Sequence, residues 1–531
     1  MSLVDTVFRP AETPATEAAG DEPGARWLFI LLTAGFSVAI TWLFAASVTD
    51  WTPLAVGALP LVAVNSAWIS GGAATAIIGL ARSAVAVPAP PAGWTPGGRT
   101  AILVTLCKEE PEPVARYLQS LHRALRREGL GQGVDGATEI FVLSDTSGAE
   151  AVAREAAVFG PLVAAGIVHY RRRARNTGRK PGNIAGWLAW RGSAFDYMLV
   201  LDSDSRMSAG RIGRMIRQIE ARPSTGLLQA GMGLIPGRSR FGRHQRSSVR
   251  LMSSNFGRGM AAWAGRSSNY WGHNAIMRVA AFRAAVDLPR LPGRAPFGGP
   301  PLSHDFIEAA WIRRAGWAVE LDPCLDGSAE DGPQSLEAFH KRDRRWCQGN
   351  MQHLRVLTEP GLHPMSRVHL AAGIVSYLAA PIWLILVVLI ATGLAPVAGL
   401  LPFALVATVL LLPKLCALAG RIGRDRTARR RWVTCRAWTG ELVVSTLIAP
   451  IMMVRQTASV ISVLMGRDCG WKSERRPTWR LPAGTPEAAA GIAIAAIAAQ
   501  LGTGASLWLA PLVLPLLGAP LIVRVLDATP A

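Results

Sequence analysis

The sequence is poor in the residues that staple small domains or fill them with metal. It holds six cysteines in 531 residues, Cys107, Cys324, Cys347, Cys416, Cys435 and Cys469, with no CxxC pair and no Cys/His cluster at zinc spacing. That scatter excludes a disulfide framework and a zinc finger, and it fits reduced thiols facing cytoplasm or lipid. Carboxylates are also short: 36 Asp+Glu stand against 56 Lys+Arg, a formal charge of +20. An excess of that sign fits nucleic acid, anionic lipid or an anionic nucleotide substrate, and its placement must decide. The basic residues largely flank apolar runs and no nucleic-acid recognition motif accompanies them, so no nucleic-acid partner is expected. No internal repeat is present, which excludes a solenoid. No apolar run precedes Trp27, and the acidic, Pro/Ala-rich stretch before it carries Glu12, Glu17, Asp21 and Glu22. Residues 1–25 are therefore expected to be a disordered cytoplasmic tail and not a secretory signal.

What is abundant is hydrophobic sequence, 50% of the chain, and it is unevenly placed. A bilayer core of about 30 Å needs about 20 apolar residues per helix. The run from Trp27 to Val48 meets that length without a charge, and a second follows Asp50-Trp51-Thr52-Pro53 and continues to about Ala81, where Arg82 ends it. Two transmembrane helices are thus expected over 26–87. Two more are expected over 366–420, from the runs Leu370 to Gly393 and Ala395 to Ala419. An Arg-rich loop (Arg421, Arg424, Arg426, Arg429, Arg430, Arg431, Arg436) and a basic segment from Arg467 to Arg480 both belong on the cytoplasmic side by the positive-inside rule. One crossing between them would separate them. The apolar stretch Trp438 to Met465, which carries Glu441, Pro450 and Arg455, is therefore expected as an interface helix or broken pair within a cytoplasmic region 421–485. The alternative is an ordinary span with an internal ion pair. The final run, Ala488 to Leu526, is too long for one helix, and Gly502-Thr503-Gly504 offers a hinge for two spans in 486–531. Six spans with both termini cytoplasmic follow.

Between a Pro-rich linker (Val87-Pro88-Ala89-Pro90-Pro91) and about Pro364 the composition is that of a soluble α/β domain, here bounded at 88–365. Short apolar runs at Ala101 to Leu106, Glu139 to Leu143, Ile167 to Tyr170 and Tyr197 to Leu201 read as strands. Helical stretches such as Pro113 to Arg127 and Ala149 to Val158 separate them. Strand, helix, strand order with polar residues at the carboxyl ends predicts an α/β fold with a mostly parallel sheet that binds its ligand along that edge.

The chemistry-bearing residues sit at those ends. Leu199-Val200-Leu201-Asp202-Ser203-Asp204 is a hydrophobic strand ending in two acids two apart. Such a pair can hold the hard divalent cation that a nucleoside diphosphate-sugar requires, although acids at this spacing also occur in solvated turns. Another strand ends in Ser144-Asp145, whose carboxylate can accept from a nucleobase or ribose, and Lys180 downstream can contact the nucleotide's polar or anionic groups. Asp305 follows a Gly/Pro turn at the start of a helix. A sugar hydroxyl is a weak nucleophile, so inverting transfer needs a carboxylate to take its proton, and Asp305 is the candidate base; it could also cap its helix. The basic cluster Lys341-Arg342-Asp343-Arg344-Arg345-Trp346 suits a departing diphosphate and an apolar sugar face, and equally a juxtamembrane patch facing anionic lipid.

In order, Asp145, Asp202-Ser203-Asp204, Asp305 and Arg342-Asp343-Arg344-Arg345-Trp346 resemble the D, DxD, D, QxxRW signature of processive family-2 glycosyltransferases, the class of cellulose and hyaluronan synthases. Longer strings, Tyr270-Trp271-Gly272-His273-Asn274, Leu302-Ser303-His304-Asp305-Phe306 and Arg313-Arg314-Ala315-Gly316-Trp317 among them, are similar to the branch that makes osmoregulated periplasmic glucans. The resemblance runs from about Ala101 through Arg480. It implies a GT-A-like domain inserted between transmembrane segments of a multi-pass inner-membrane protein, using UDP-glucose to build a β-glucan coupled to export. It also implies Mg2+ or Mn2+ at Asp202 and Asp204, nucleotide contacts from Asp145, Lys180, Asp202 and Arg345, base catalysis by Asp305, and acceptor contacts from Trp346 and His273. Lys472, in a loop comparable to one that covers the nucleotide in such synthases, would add a phosphate contact. Implied partners are UDP-glucose, the glucan chain, membrane lipids and a periplasmic or inner-membrane glucan-processing protein. Two positions depart from the broader pattern: Arg342 replaces its Gln, and Lys108-Glu109-Glu110 stands where an Asn-Glu pair is usual. A non-processive transferase making a lipid-linked sugar needs the same donor site, and a membrane sensor of UDP-glucose would lack the separate base.

Overall fold

The computed structural model describes residues 23–82, 93–131, 137–285, 287–469, 482–500 and 503–529. Residues 1–22, the Pro-rich linker at 87–91, Gly502 and the basic segment 470–481 with Lys472 lie outside the described residues.

The strands are β1 (Thr100–Leu106), β2 (Thr138–Ser144), β3 (His169–Arg172), β4 (Tyr197–Asp202), β5 (Arg206–Met207), β6 (Thr225–Ala230), β7 (Gly233–Leu234), β8 (Ala275–Arg278), β9 (Ala318–Asp322) and β10 (Ser328–Glu330). Seven form one sheet in the order β3-β2-β1-β4-β8-β6-β9, in which β8 alone runs antiparallel to its neighbours. The other three form a small sheet, β5-β10-β7, beside it. Alternation along the strands feeds two cores. Ala101, Leu103, Phe141 and Val200 join Trp187 and Ile307 on one face, while Ile102, Val104, Ile140 and Leu199 join Leu118 and Ile216 on the other. Helices cover both faces, which is why the strands read as continuous apolar runs.

The chain leaves β1 toward β2 and β3 on one side and returns to β4 on the other. That reversal of direction opens a crevice beyond the carboxyl ends of β1 and β4, the place where open α/β sheets bind ligands. The third strand starts at His169, two residues later than Ile167, because Gly166 at φ 66° and the bond from Ile167 N to Leu162 O (2.8 Å) close the helix before it. That helix, Ala149–Ala164, runs beyond Val158 and carries Pro161 inside it.

Among the described residues, five helices are long and apolar enough to cross a membrane: Pro23–Ser47, Pro53–Ala81, Pro364–Ala391, Leu401–Ile422 and Ala428–Leu464. The first two and the next two form hairpins whose turns meet, with Val48 bridging Val397 and Thr49 N donating to Pro396 O (3.0 Å). At the other end the α/β domain grips Pro53–Ala81 through helix Arg240–Ala264. A Cβ at Gly259 would lie 1.9 Å from Thr75 O and one at Gly79 would lie 2.0 Å from Asn255 O, so only glycine permits this crossing. Asn255 donates to Ala76 O (2.9 Å) and Trp263 to Thr75 Oγ1 (3.1 Å).

The stretch expected as an interface helix or broken pair is one helix, Ala428–Leu464, unbroken through Pro450. The two charges of its apolar stretch are paired: Glu441 with Lys414 (2.6 Å) and Arg455 with Glu487 (2.5 Å). It also touches the α/β domain from Glu441, which meets Ser248 (3.3 Å), through Gln456, which donates to Asp343 (3.3 Å), to Ser462, which accepts from Arg344 (3.4 Å). The final apolar run, expected as two helices, is three: Thr485–Gln500, Thr503–Leu517 and Ala519–Asp527. The last two bend by 60° at Gly518, where Pro520 lacks the N–H that would continue the helix.

Candidate active site

The carboxyl edge of the sheet brings the predicted residues into one cleft of about 440 Å³. Asp145, Lys180, Asp202, Asp204, His273, Asp305, Arg345 and Trp346 all line it; Lys472 is outside the described residues.

Asp202 closes β4 and accepts from Thr105 Oγ1 on the neighbouring β1 (3.1 Å). Lys180 forms an ion pair with the same carboxylate and donates to Gly272 O (2.6 Å). Burial alone would raise the proton affinity of Asp202, but Lys180, His273 and the Thr105 hydroxyl together hold its pKa well below the carboxylate range. Asp204 goes the other way, raised by burial and by the Asp202 charge. Asp145 is gripped by Arg173 through two bonds of 2.7 and 2.8 Å.

His273 shares a bond with Ser205 Oγ (3.2 Å) and faces Glu330 (3.4 Å). Burial opposes its protonation, yet Asp202 and Glu330 bring its pKa up to about 8. Glu330 in turn pairs with Arg342 (3.1 Å), whose guanidinium lies 4.5 Å from the Trp346 ring centroid. Arg342 thus anchors a carboxylate and braces the half-exposed indole, a role its Gln counterpart in the broader signature could not supply as an ion pair. Glu109 also lines the cleft, and its carboxylate turns back to accept from Cys107 N.

Asp305 sits in the first turn of helix His304–Arg314. Burial raises its pKa and Glu308 adds to the rise, against His304. Gly272, at φ 89°, lies beside Asp305, and a Cβ there would be in ordinary contact with Asp305 Oδ2 at 3.5 Å. The loop leading to Asp305 is held by helix Leu336–Gln352 and the turn after it: Gln352 accepts from Leu302 N (2.8 Å), His353 bonds Ser303 O (3.1 Å), and Gly349 abuts Ser303. Gln348 of that helix donates to Asp468 (2.8 Å) and accepts from Cys469 N (2.8 Å). Arg345 is half-buried beside Arg342, and desolvation followed by that neighbour lowers its pKa.

Sequence reasoning did not single out Arg173 or Glu330. The run Arg171-Arg172-Arg173 at the end of β3 was a signal for the first; Glu330 had none, since its partners His273 and Arg342 come from two other segments.

Among the described residues no three His, Cys, Asp or Glu side chains form a self-sufficient metal cage. Two neighbouring carboxylates, one of them made reluctant to ionise by burial and by the other's charge, fit a hard cation that would complete its coordination with phosphate oxygens and water.

Two family models match the chain: Glycosyl transferase family 2 over residues 102–285 and Glycosyl transferase family group 2 over 197–419. Glucans biosynthesis glucosyltransferase H of Xylella fastidiosa is 38% identical over 78% of this chain and 70% of its own length. The proteins of that name from Bradyrhizobium diazoefficiens and Rhodopseudomonas palustris (strain TIE-1) are 38% and 39% identical over 78% and 81% of this chain. The chain spans 60% and 63% of those two relatives' length. A mannosyltransferase from Pyrobaculum calidifontis, solved with GDP-Man and Mn2+, aligns over 77% of this chain and 99% of its own at 14% identity, with a TM-score of 0.46 that carries no argument.

Proposed function

Since the chain belongs to the glucans biosynthesis glucosyltransferase H family of family-2 glycosyltransferases, we propose that it transfers glucose from UDP-glucose, with inversion, onto a growing β-glucan, the backbone of an osmoregulated periplasmic glucan. The observation that carries this reading is the convergence of Asp145, Asp202, Asp204, Asp305, Lys180 and Arg345 in one cleft.

In this reading Asp145, fixed by Arg173, meets the uridine, and Lys180 and Arg345 face the diphosphate. Asp202 and Asp204 hold Mg2+ or Mn2+, which when bound supplies charge neutralisation at the diphosphate. Asp305 takes the proton of the acceptor hydroxyl, whose oxygen bonds to the anomeric carbon as the bond from that carbon to the UDP oxygen breaks. Its raised pKa suits it to accept that proton. Trp346 and His273 line the acceptor end, the indole giving the sugar an apolar face.

In the same reading the chain is a multi-pass inner-membrane enzyme with the catalytic domain and both termini cytoplasmic and helix Ala428–Leu464 at the cytoplasmic interface, and the long apolar helices support its membrane location. Helix Leu336–Gln352, which carries Arg345 and Trp346 of the cleft, meets helix Ala428–Leu464 through the bonds of Asp343 and Arg344, an arrangement that suits coupling of synthesis to export and meeting a glucan-processing partner. The test is the purified chain in vesicles with UDP-glucose and Mg2+: UDP release with polymer of β-linked glucose is expected. Incorporation of one sugar into lipid, with no polymer, would overturn the processive reading.

A further inference from the structure

Away from the cleft, four arginines line a pocket of about 540 Å³ where three elements meet. Arg243, Arg246 and Arg250 recur at spacings of three and four along helix Arg240–Ala264, so they share one face. Arg421 comes from the last turn of helix Leu401–Ile422, and Val433 and Thr434 come from helix Ala428–Leu464. Two of the four heads are oriented by backbone: Arg246 Nε donates to Leu234 O (3.0 Å) and Arg421 donates to Arg250 O (3.1 Å). No carboxylate lines the pocket, and among the described residues none of the four arginines has an ion-pair partner. The nearest acid to a lining residue, Asp425, is engaged by the Thr434 hydroxyl (2.7 Å).

Guanidinium groups gathered without a counter-charge repel one another, and a ligand that brings negative charge relieves the strain. The planar fork of arginine suits phosphate oxygens. The surroundings specify the rest of the ligand. Arg421 ends a helix long and apolar enough to cross a membrane, while Val433 at the rim is 53% exposed and Trp432 beside it 62%. Exposed Trp next to basic residues at the end of an apolar helix marks the headgroup level of a bilayer.

We propose that this pocket holds the phosphate headgroup of an anionic membrane phospholipid, with the acyl chains lying along the apolar surface beside Val433. Basic pockets between membrane helices on the cytoplasmic side take such headgroups. A bound lipid would clamp helix Arg240–Ala264, which is already locked on Pro53–Ala81 and leads into the turn carrying Gly272 and His273. A soluble phosphate would use the same arginines but not the apolar rim.

Native mass spectrometry of the detergent-solubilised full chain, offered equal phosphatidylglycerol and phosphatidylcholine, tests this. Selective retention of phosphatidylglycerol is expected, with Arg243→Gln/Arg250→Gln weakening it about 30-fold, since each arginine near the surface contributes about a factor of five. Arg243→Lys/Arg250→Lys should stay within about threefold of the parent because the charge is kept. Arg424→Gln/Arg429→Gln, basic positions outside the pocket, should leave retention unchanged, and unaltered UDP binding certifies the fold of each variant. Equal retention of both lipids, equal loss in the two Gln pairs, or displacement of the lipid by matched glycerol 3-phosphate would each overturn the proposal.

Discussion

The catalytic cleft and the membrane-proximal helix Ala428–Leu464 both bury charge, and they treat it in opposite ways. Along the helix, Glu441 meets Lys414 and Ser248, and Arg455 meets Glu487 and Leu336 O (3.2 Å). In the cleft, burial first and neighbouring carboxylates after it push Asp204 and Asp305 toward their neutral forms. Charge satisfied inside the protein holds elements together; charge left unsatisfied is available to a substrate.

That contrast can be broken most severely at Asp305. Asp305→Asn should lower the turnover number by about 10²–10⁴-fold while UDP affinity and melting temperature stay close to the parent's, because general base catalysis contributes about that much. Near-normal turnover would remove Asp305 from the mechanism. Glu441→Gln should do the reverse, costing about 3–5 kcal/mol by stranding Lys414, read as a lower melting midpoint in detergent with UDP affinity intact. The double variant Lys414→Met/Glu441→Leu should recover most of that loss, since an apolar pair of similar size replaces a buried ion pair at little cost. Gly272→Ala tests how closely the backbone guards the base. A side chain at φ 89° costs about 1–3 kcal/mol, and relief of that strain would move the backbone that lies in contact with Asp305, so turnover should fall with little change in KM for UDP-glucose. Arg173→Lys, which forfeits the two-pronged grip on Asp145, should weaken UDP binding about tenfold by calorimetry.

A smaller effect concerns pH. Asp305 must be ionised to accept a proton, and its folded pKa is raised, so the acid limb of kcat/KM should lie above the ordinary carboxylate range of about 4. Activity is lost as pH falls through that raised value. Glu308→Gln removes a neighbouring negative charge and should shift the limb downward.

Much of the cleft was legible because its acids stand at strand ends, where a hydrophobic run stops and a polar pair begins; Asp145, Asp202 and Asp204 all carry that signature, and Asp305 opens a helix. Arg173 and Glu330 were less legible because their importance lies in partners brought from other segments, Asp145 to one and His273 with Arg342 to the other. In the bundle, Glu441 and Arg455 counted against an ordinary span when taken alone. Their counter-charges, Lys414 and Glu487, are 27 and 32 residues away, and no local pattern announces such pairs. The two-residue delay of β3 likewise came from Gly166, whose left-handed turn belongs to the helix before it.

The most direct test follows UDP-glucose with a labelled glucosyl group and Mg2+ over vesicles containing the full chain, beside the Asp305→Asn variant. Glucosyl transfer by this cleft predicts UDP release matched by label in a β-glucan polymer, with both lost in the variant although UDP still binds. Binding of UDP-glucose without UDP release by the parent chain, or undiminished polymer from the variant, would contradict it.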